Sequence, residues 1–172
     1  ISIDDVTVDE AAGTITFTVT LSEPTTANVS VNYATADGTA TSGADYTAAN
    51  GTLSFAPGVT TQTVTVNIAD DAVFEGNENF NLLLSGAVNA TIADNSGLAT
   101  ISDDDTPTIA VSSPTVGEGA FAVFTVSLSN PSTTAVTFNP TLASGTATVG
   151  AETVAEAELL AAFVKWDAEE KE

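Results

Sequence analysis

Carboxylates are the only groups in this sequence that could do chemistry in number. There are 23 Asp and Glu against two basic residues, and the formal net charge is −21. Both basic residues, Lys165 and Lys171, lie near the end, and residues 1 to 164 contain no Lys, Arg or His. The acids fall in sets: Asp9-Glu10, Asp45, Asp70-Asp71 with Glu75 and Glu78, and Asp103-Asp104-Asp105. Oxygen-only donors of this kind suit a hard divalent cation. Ca²⁺, which takes roughly 6–8 oxygens in flexible geometry, suits them better than Mg²⁺. Cysteine is absent, so neither a thiolate zinc site nor a disulfide framework can form. Without a nucleophile and base set over most of the chain, no enzymatic activity is expected. A paired-carboxylate glycosidase would need one acid held neutral in an apolar cleft, and these segments read as wet turns. The plain alternative to a metal site is that the acids only solubilise the domain.

The elements that carry the acids decide between those readings. Ile15, Phe17, Val19 and Leu21 alternate with polar residues, as do Val29, Val31 and Tyr33. Val64, Val66 and Ile68 do the same, and so do Phe80, Leu82 and Leu84. Alternation with period two, rich in Thr and Val, predicts half-buried antiparallel strands. Turn signals separate them, among them Gly13, Pro24, Asp37-Gly38, Asn50-Gly51 and Pro57-Gly58. The expected strands lie near residues 1–8, 13–21, 28–35, 51–55, 60–69, 79–85 and 97–102. Seven short strands predict an all-β, immunoglobulin-like antiparallel sandwich. If successive strands run up and down, every acidic set named above falls at one pole, leaving Glu23 and Asp94 at the other. These crowded carboxylates repel one another, and no nearby cation of the chain relieves them. The expected metal ligands are therefore Glu10, Asp45, Asp70, Asp71, Glu75, Glu78, Asp103, Asp104 and Asp105.

The sequence also repeats. Leu21-Ser-Glu-Pro24 recurs as Leu128-Ser-Asn-Pro131, and the stretch from Gly38 to Asp45 recurs from Gly145 to Glu152. A spacing near one hundred residues predicts tandem domains. Residues 1–105 read as a complete module and 106–152 as a partial second copy. In that copy Glu118 stands for Glu10 and Glu152 for Asp45, with no counterpart to the later acids. Residues 153–172 lack Gly and Pro. They space Leu159, Leu160, Phe163, Val164 and Trp166 as an amphipathic helix would. Trp166 reads as a packing residue.

Several stretches resemble one family. Asn67 to Ser85, NIADDAVFEGNENFNLLLS, is similar to the signature of Calx-beta domains. So are Ala34 to Gly58 and the closing Ile101-Ser102-Asp103-Asp104-Asp105. The resemblance implies a sandwich with calcium ions clustered at one pole, held by the same nine residues, and two or three ions rather than four. The family occurs in the regulatory loop of sodium–calcium exchangers and in bacterial surface adhesins. Composition favours the second setting: an extracellular or cell-surface repeat protein in which Ca²⁺ stiffens loops and the joint to the next module. A calcium-sensing regulatory domain of a membrane-linked protein is the alternative. The chain starts within an expected strand, as a mature or excised piece would. Expected partners are calcium ions and either neighbouring modules or identical chains, which could complete the partial module by strand donation and build head-to-tail fibres. So acidic a chain is a poor partner for nucleic acid, and no apolar run is long enough for membrane insertion.

Overall fold

A computed structural model describes residues 1–117 and 120–140, and the backbone of 147–149 and 152–154. The chain divides into two compact units, Ile1–Thr106 and Pro107–Glu172. The first contains β1 (Ser2–Ile3), β2 (Val6–Asp9), a 3-10 turn (Glu10–Ala12), β3 (Thr14–Thr20) and β4 (Val29–Asp37). It continues with β5 (Asn50–Phe55), β6 (Thr61–Asn67), β7 (Glu78–Val88) and β8 (Ser96–Ser102). The three-stranded sheet runs β1-β3-β6 and the five-stranded sheet β2-β8-β7-β4-β5. The unit is the all-β sandwich that the alternation predicts.

The alternating residues form the core between the sheets. Phe17, Phe55 and Phe80 have no exposed surface, and Ile15, Val19, Val29, Val31, Val66 and Leu82 are also buried. Each such side chain contributes about 1.5–3 kcal/mol when fully buried. Phe17 meets Phe80 edge-on, with centroids 6.2 Å apart. The opposite side of β3 and β6 is threonine: Thr16 faces Thr65, Thr18 faces Thr63 and Thr20 faces Thr61.

The first expected strand is in fact two, because the chain changes sheets at Asp4-Asp5. β1 pairs antiparallel with β3, whereas β2 pairs parallel with β8. Carboxylates hold the crossing: Asp4 Oδ1 accepts from Thr18 N at 2.6 Å, and Asp5 Oδ1 accepts from Leu98 N at 2.7 Å. Gly97 is required there, since a Cβ would lie 2.5 Å from the Asp4 carbonyl oxygen.

The second unit repeats the opening of the first. Its β9 (Ile109–Val111) pairs with β10 (Val126–Leu128), Val111 opposite Val126. Ile3 stands opposite Val19 in the corresponding register. The Ser112 N donates to Thr125 O, and Thr125 N to Ser112 Oγ at 2.7 Å. Asp4 and Thr18 make the equivalent pair of bonds. Val111 is 56% exposed, whereas its counterpart Ile3 is 6% exposed beneath the second sheet. Two further strands, β11 (Ala147–Val149) and β12 (Glu152–Val154), pair with each other. Thr153 and Val154 therefore belong to a strand, not to the start of the expected helix. Glu118 and the rest of that helix, 155–172, lie outside the described residues.

Candidate metal centre

Strand directions fix which connections meet. β3, β5 and β7 run away from one pole, and β2, β4, β6 and β8 run towards it. That pole therefore gathers the 3-10 turn after β2, the β4–β5 connection, the β6–β7 connection and the segment leaving β8. All nine acids of interest sit on those four segments or at the first residue of β7.

Two triads form there. Glu10, Asp103 and Asp105 bring carboxylate oxygens within 4.8 Å of one another, and so do Asp45, Glu75 and Glu78. All six are half-buried. The triads adjoin, because Glu10, Asp45, Glu75, Glu78 and Asp103 line a single crevice with Gly76. Asp70, Asp71 and Asp104 are exposed and stand outside both triads.

Backbone hydrogen bonds pre-form the loops around the crevice. Asp103 Oδ2 accepts from Glu75 N at 2.6 Å and Gly76 N at 2.5 Å, and Oδ1 accepts from Asp105 N at 2.8 Å. The exit of β8 is thereby tied to the β6–β7 connection. Gly76 has φ +82°, left-handed backbone that lets the turn close on Asp103. Asp45 Oδ2 accepts from Thr41 N at 2.6 Å and Thr41 Oγ1 at 3.1 Å. Its carbonyl accepts from Ala69 N at 2.9 Å, which joins the β4–β5 and β6–β7 connections. Asp9 caps the 3-10 turn that carries Glu10 through its bond from Ala11 N, and Gly13 closes that turn at φ 69°.

The electrostatics follow from crowding without a cation. Burial, then the charges of Asp71, Asp103 and Asp105, push the Glu10 carboxyl up to about 7, against a lowering backbone contact from Asp71. Burial, then the charges of Asp45 and Glu75, push Glu78 up to about 7. Glu75 is raised by burial and by Asp45, Asp71 and Asp103. Asp105 is raised by desolvation and by Asp104, Asp103, Asp70 and Asp71. The three exposed acids thus act on the triads at a distance. Asp103 moves down instead: desolvation opposes its charge, but the N–H groups of Asp105, Gly76 and Glu75 outweigh it. Half-buried carboxylates that resist ionisation, with only oxygen donors around them, fit a hard cation.

One acid at this pole escaped the sequence reading. Asp37 ends β4, and its Oδ1 accepts from Tyr46 Oη at 2.5 Å and Ser42 N at 2.9 Å. These bonds, Tyr46 first, hold its carboxyl below the usual range. Tyr46 is buried and stacks on Phe80 at 4.1 Å. The Tyr next to Asp45 therefore anchors the acid-bearing loop to the core. In the sequence, Asp37-Gly38 carries only a turn signal.

Comparison with known proteins agrees with this geometry. The Calx-beta domain family profile matches residues 1–105. Sodium/calcium exchanger 1 of Canis lupus familiaris is 38% identical over 90 residues, 52% of this chain and 9% of the exchanger. Sodium/calcium exchanger Calx of Drosophila melanogaster is 47% identical over 55 residues, 32% of this chain and 6% of that protein. The chain thus spans about a tenth or less of the length of these relatives. Among solved structures, the apo-form Calx CBD1 domain superposes with TM-score 0.57 at 32% identity, covering 60% of this chain and 97% of that one. The calcium binding domain CBD12 of CALX1.1 gives TM-score 0.59 at 31% identity, covering 66% and 50% respectively.

Proposed function

We propose, from the premise that this chain belongs to the Calx-beta domain family, that it is a calcium-responsive regulatory module of a larger protein. The observation that carries the reading is the pair of adjoining carboxylate triads, built from four separate segments at one pole. Glu10, Asp103 and Asp105 would hold one ion, and Asp45, Glu75 and Glu78 a second. Asp70, Asp71 and Asp104, outside both triads, would add negative potential around the ions. Ca²⁺ supplies the positive charge that the crowded carboxylates lack, and it accepts the irregular oxygen geometry of loops. The chain's own contribution is to position them. Asp103 braces the β6–β7 turn against the segment leaving β8, and Tyr46 pins the Asp45 loop to Phe80.

Binding would couple these segments. Without cation, repulsion favours spreading of loops joined only by hydrogen bonds at their bases. With cation, the segment leaving β8 is drawn to three loops, so occupancy is passed to whatever follows Thr106. Of the two uses the sequence suggests, the regulatory one has the better support, because the relatives are sodium/calcium exchangers and a solved relative is described as a calcium binding domain. The structural or adhesive use would share the same site. It rests, like placement outside the cell, on the acid-rich composition alone. The module is read as a binder, not an enzyme.

Calorimetric titration with Ca²⁺, repeated with Mg²⁺, tests the reading. Saturable binding of about two Ca²⁺ ions, a higher unfolding temperature, and much weaker Mg²⁺ binding are expected. Absence of saturable Ca²⁺ binding defeats it. Affinity separates the uses: micromolar sites suit regulation, and constitutively filled, far tighter sites suit stiffening.

A further inference from the structure

We propose that the free edge of β6 is a self-association surface, on which a second copy of this chain pairs antiparallel about a two-fold axis at Thr63. Among the described residues, β6 is the outer strand of its sheet. The Leu21 N–Thr60 O and Ile68 N–Gly13 O bonds fix the phase of its ladder with β3. Residues 62, 64 and 66 direct their backbone groups towards β3. Residues 61, 63, 65 and 67 direct theirs outward. The Asn67 carbonyl already accepts from Thr47 N, so the covered part of the edge ends there. Thr61, Thr63 and Thr65 are left with outward N–H and C=O groups and exposed side chains.

Edges of this kind are usually blunted by charge, proline or a bulge. This one has none, and no charged residue lies anywhere between Asp45 and Asp70. Of the other sheet's two edge strands, β2 and β5, the latter is less open, because Gln62 Nε2 occupies the Ser54 carbonyl.

A second copy fits for two reasons. Antiparallel pairing centred on Thr63 sets Thr61 opposite the partner's Thr65 and Thr63 opposite its own mate, so all three outward positions meet outward positions. The same pairing points the two acidic poles in opposite directions. A parallel arrangement would put them side by side in a chain of net charge −21. The uncharged threonine faces of β3 and β6 would then continue across the joint as one sheet.

The test is sedimentation of the full chain over a concentration series in moderate salt, which screens residual repulsion. Wild-type protein should show a reversible monomer–dimer equilibrium. Thr63→Lys places like charges opposite each other at the axis and should weaken the dimer about tenfold or more. Thr16→Lys changes net charge equally, on the same face but away from the edge, and should leave the equilibrium unchanged. Thr63→Cys in this cysteine-free chain should give a disulfide-linked dimer under mild oxidation, since hydrogen-bonded antiparallel pairs hold Cα atoms about 5.5 Å apart. A monomer at all concentrations overturns the proposal. So does a dimer that Thr63→Lys leaves intact, which would show association through another surface.

Discussion

Replacing Glu78 with Gln separates two consequences of a crowded carboxylate pole, because they have opposite signs. Glu78 lies in the crevice with Asp45, Glu75 and Glu10, and its carboxyl is pushed from 4.5 to about 7, by burial first and then by those neighbours. In the unfolded chain it loses its proton near the lower value. Between the two values the folded state binds more protons, so cation-free stability falls as pH rises through that window and stays low above it. At roughly 1.4 kcal/mol per tenfold, the difference sets a ceiling of about 3 kcal/mol. Solvent screening of a partly exposed group reduces the measurable effect to about 1 kcal/mol. E78Q should therefore stabilise the cation-free protein by about 1 kcal/mol at pH 8. The gain should vanish below about pH 4, where Glu78 is protonated in the folded and the unfolded state alike. With calcium the sign reverses. One anionic ligand is lost, and affinity should fall at least about tenfold, because ligand charge sets affinity in such sites. Urea unfolding in chelator and in millimolar calcium, at both pH values, measures all of this, urea being uncharged. Lower cation-free stability of E78Q at pH 8, together with unchanged calcium affinity, would refute the electrostatic reasoning.

Calcium must displace protons from Glu10 and Glu78 near neutral pH. Affinity should fall as pH drops from about 8 to 6, and calorimetry in buffers of different ionisation enthalpy should show proton release on binding. Gly76→Ala should cost about 1 kcal/mol, because alanine resists φ +82°, and should weaken calcium binding by disturbing the Asp103 brace; unfolding and titration together check this. Tyr46 is held up to about 12 by burial and by Asp37. Ultraviolet titration should find one tyrosine ionising near that value, and Asp37→Asn should bring it down.

The strand pattern was legible because it is local. Thr and Val alternate with buried residues over whole strands, so Phe17, Val64 and Leu82 announce the core by position alone. The acidic pole followed from counting strand directions, which needs no coordinates. The sheet change at Asp4-Asp5 was not legible. An alternating run looks the same whether it serves one sheet or two, and only the bonds to Thr18 and Leu98 divide it. Asp37 went unnoticed for a similar reason. Its meaning lies in Tyr46 Oη, nine residues on, and an Asp before Gly reads equally well as a turn.

By itself, then, the sequence determined the all-β class, the oxygen-only chemistry and the four segments that carry it. These depend on residue type and short-range periodicity. Tertiary structure alone decided how the nine carboxylates divide: Glu10 with Asp103 and Asp105, Asp45 with Glu75 and Glu78, and Asp70, Asp71 and Asp104 outside both triads. Residues separated by more than ninety positions meet only because β2 lies parallel to β8 and β7 starts beside the exit of β8. No local pattern encodes those distances.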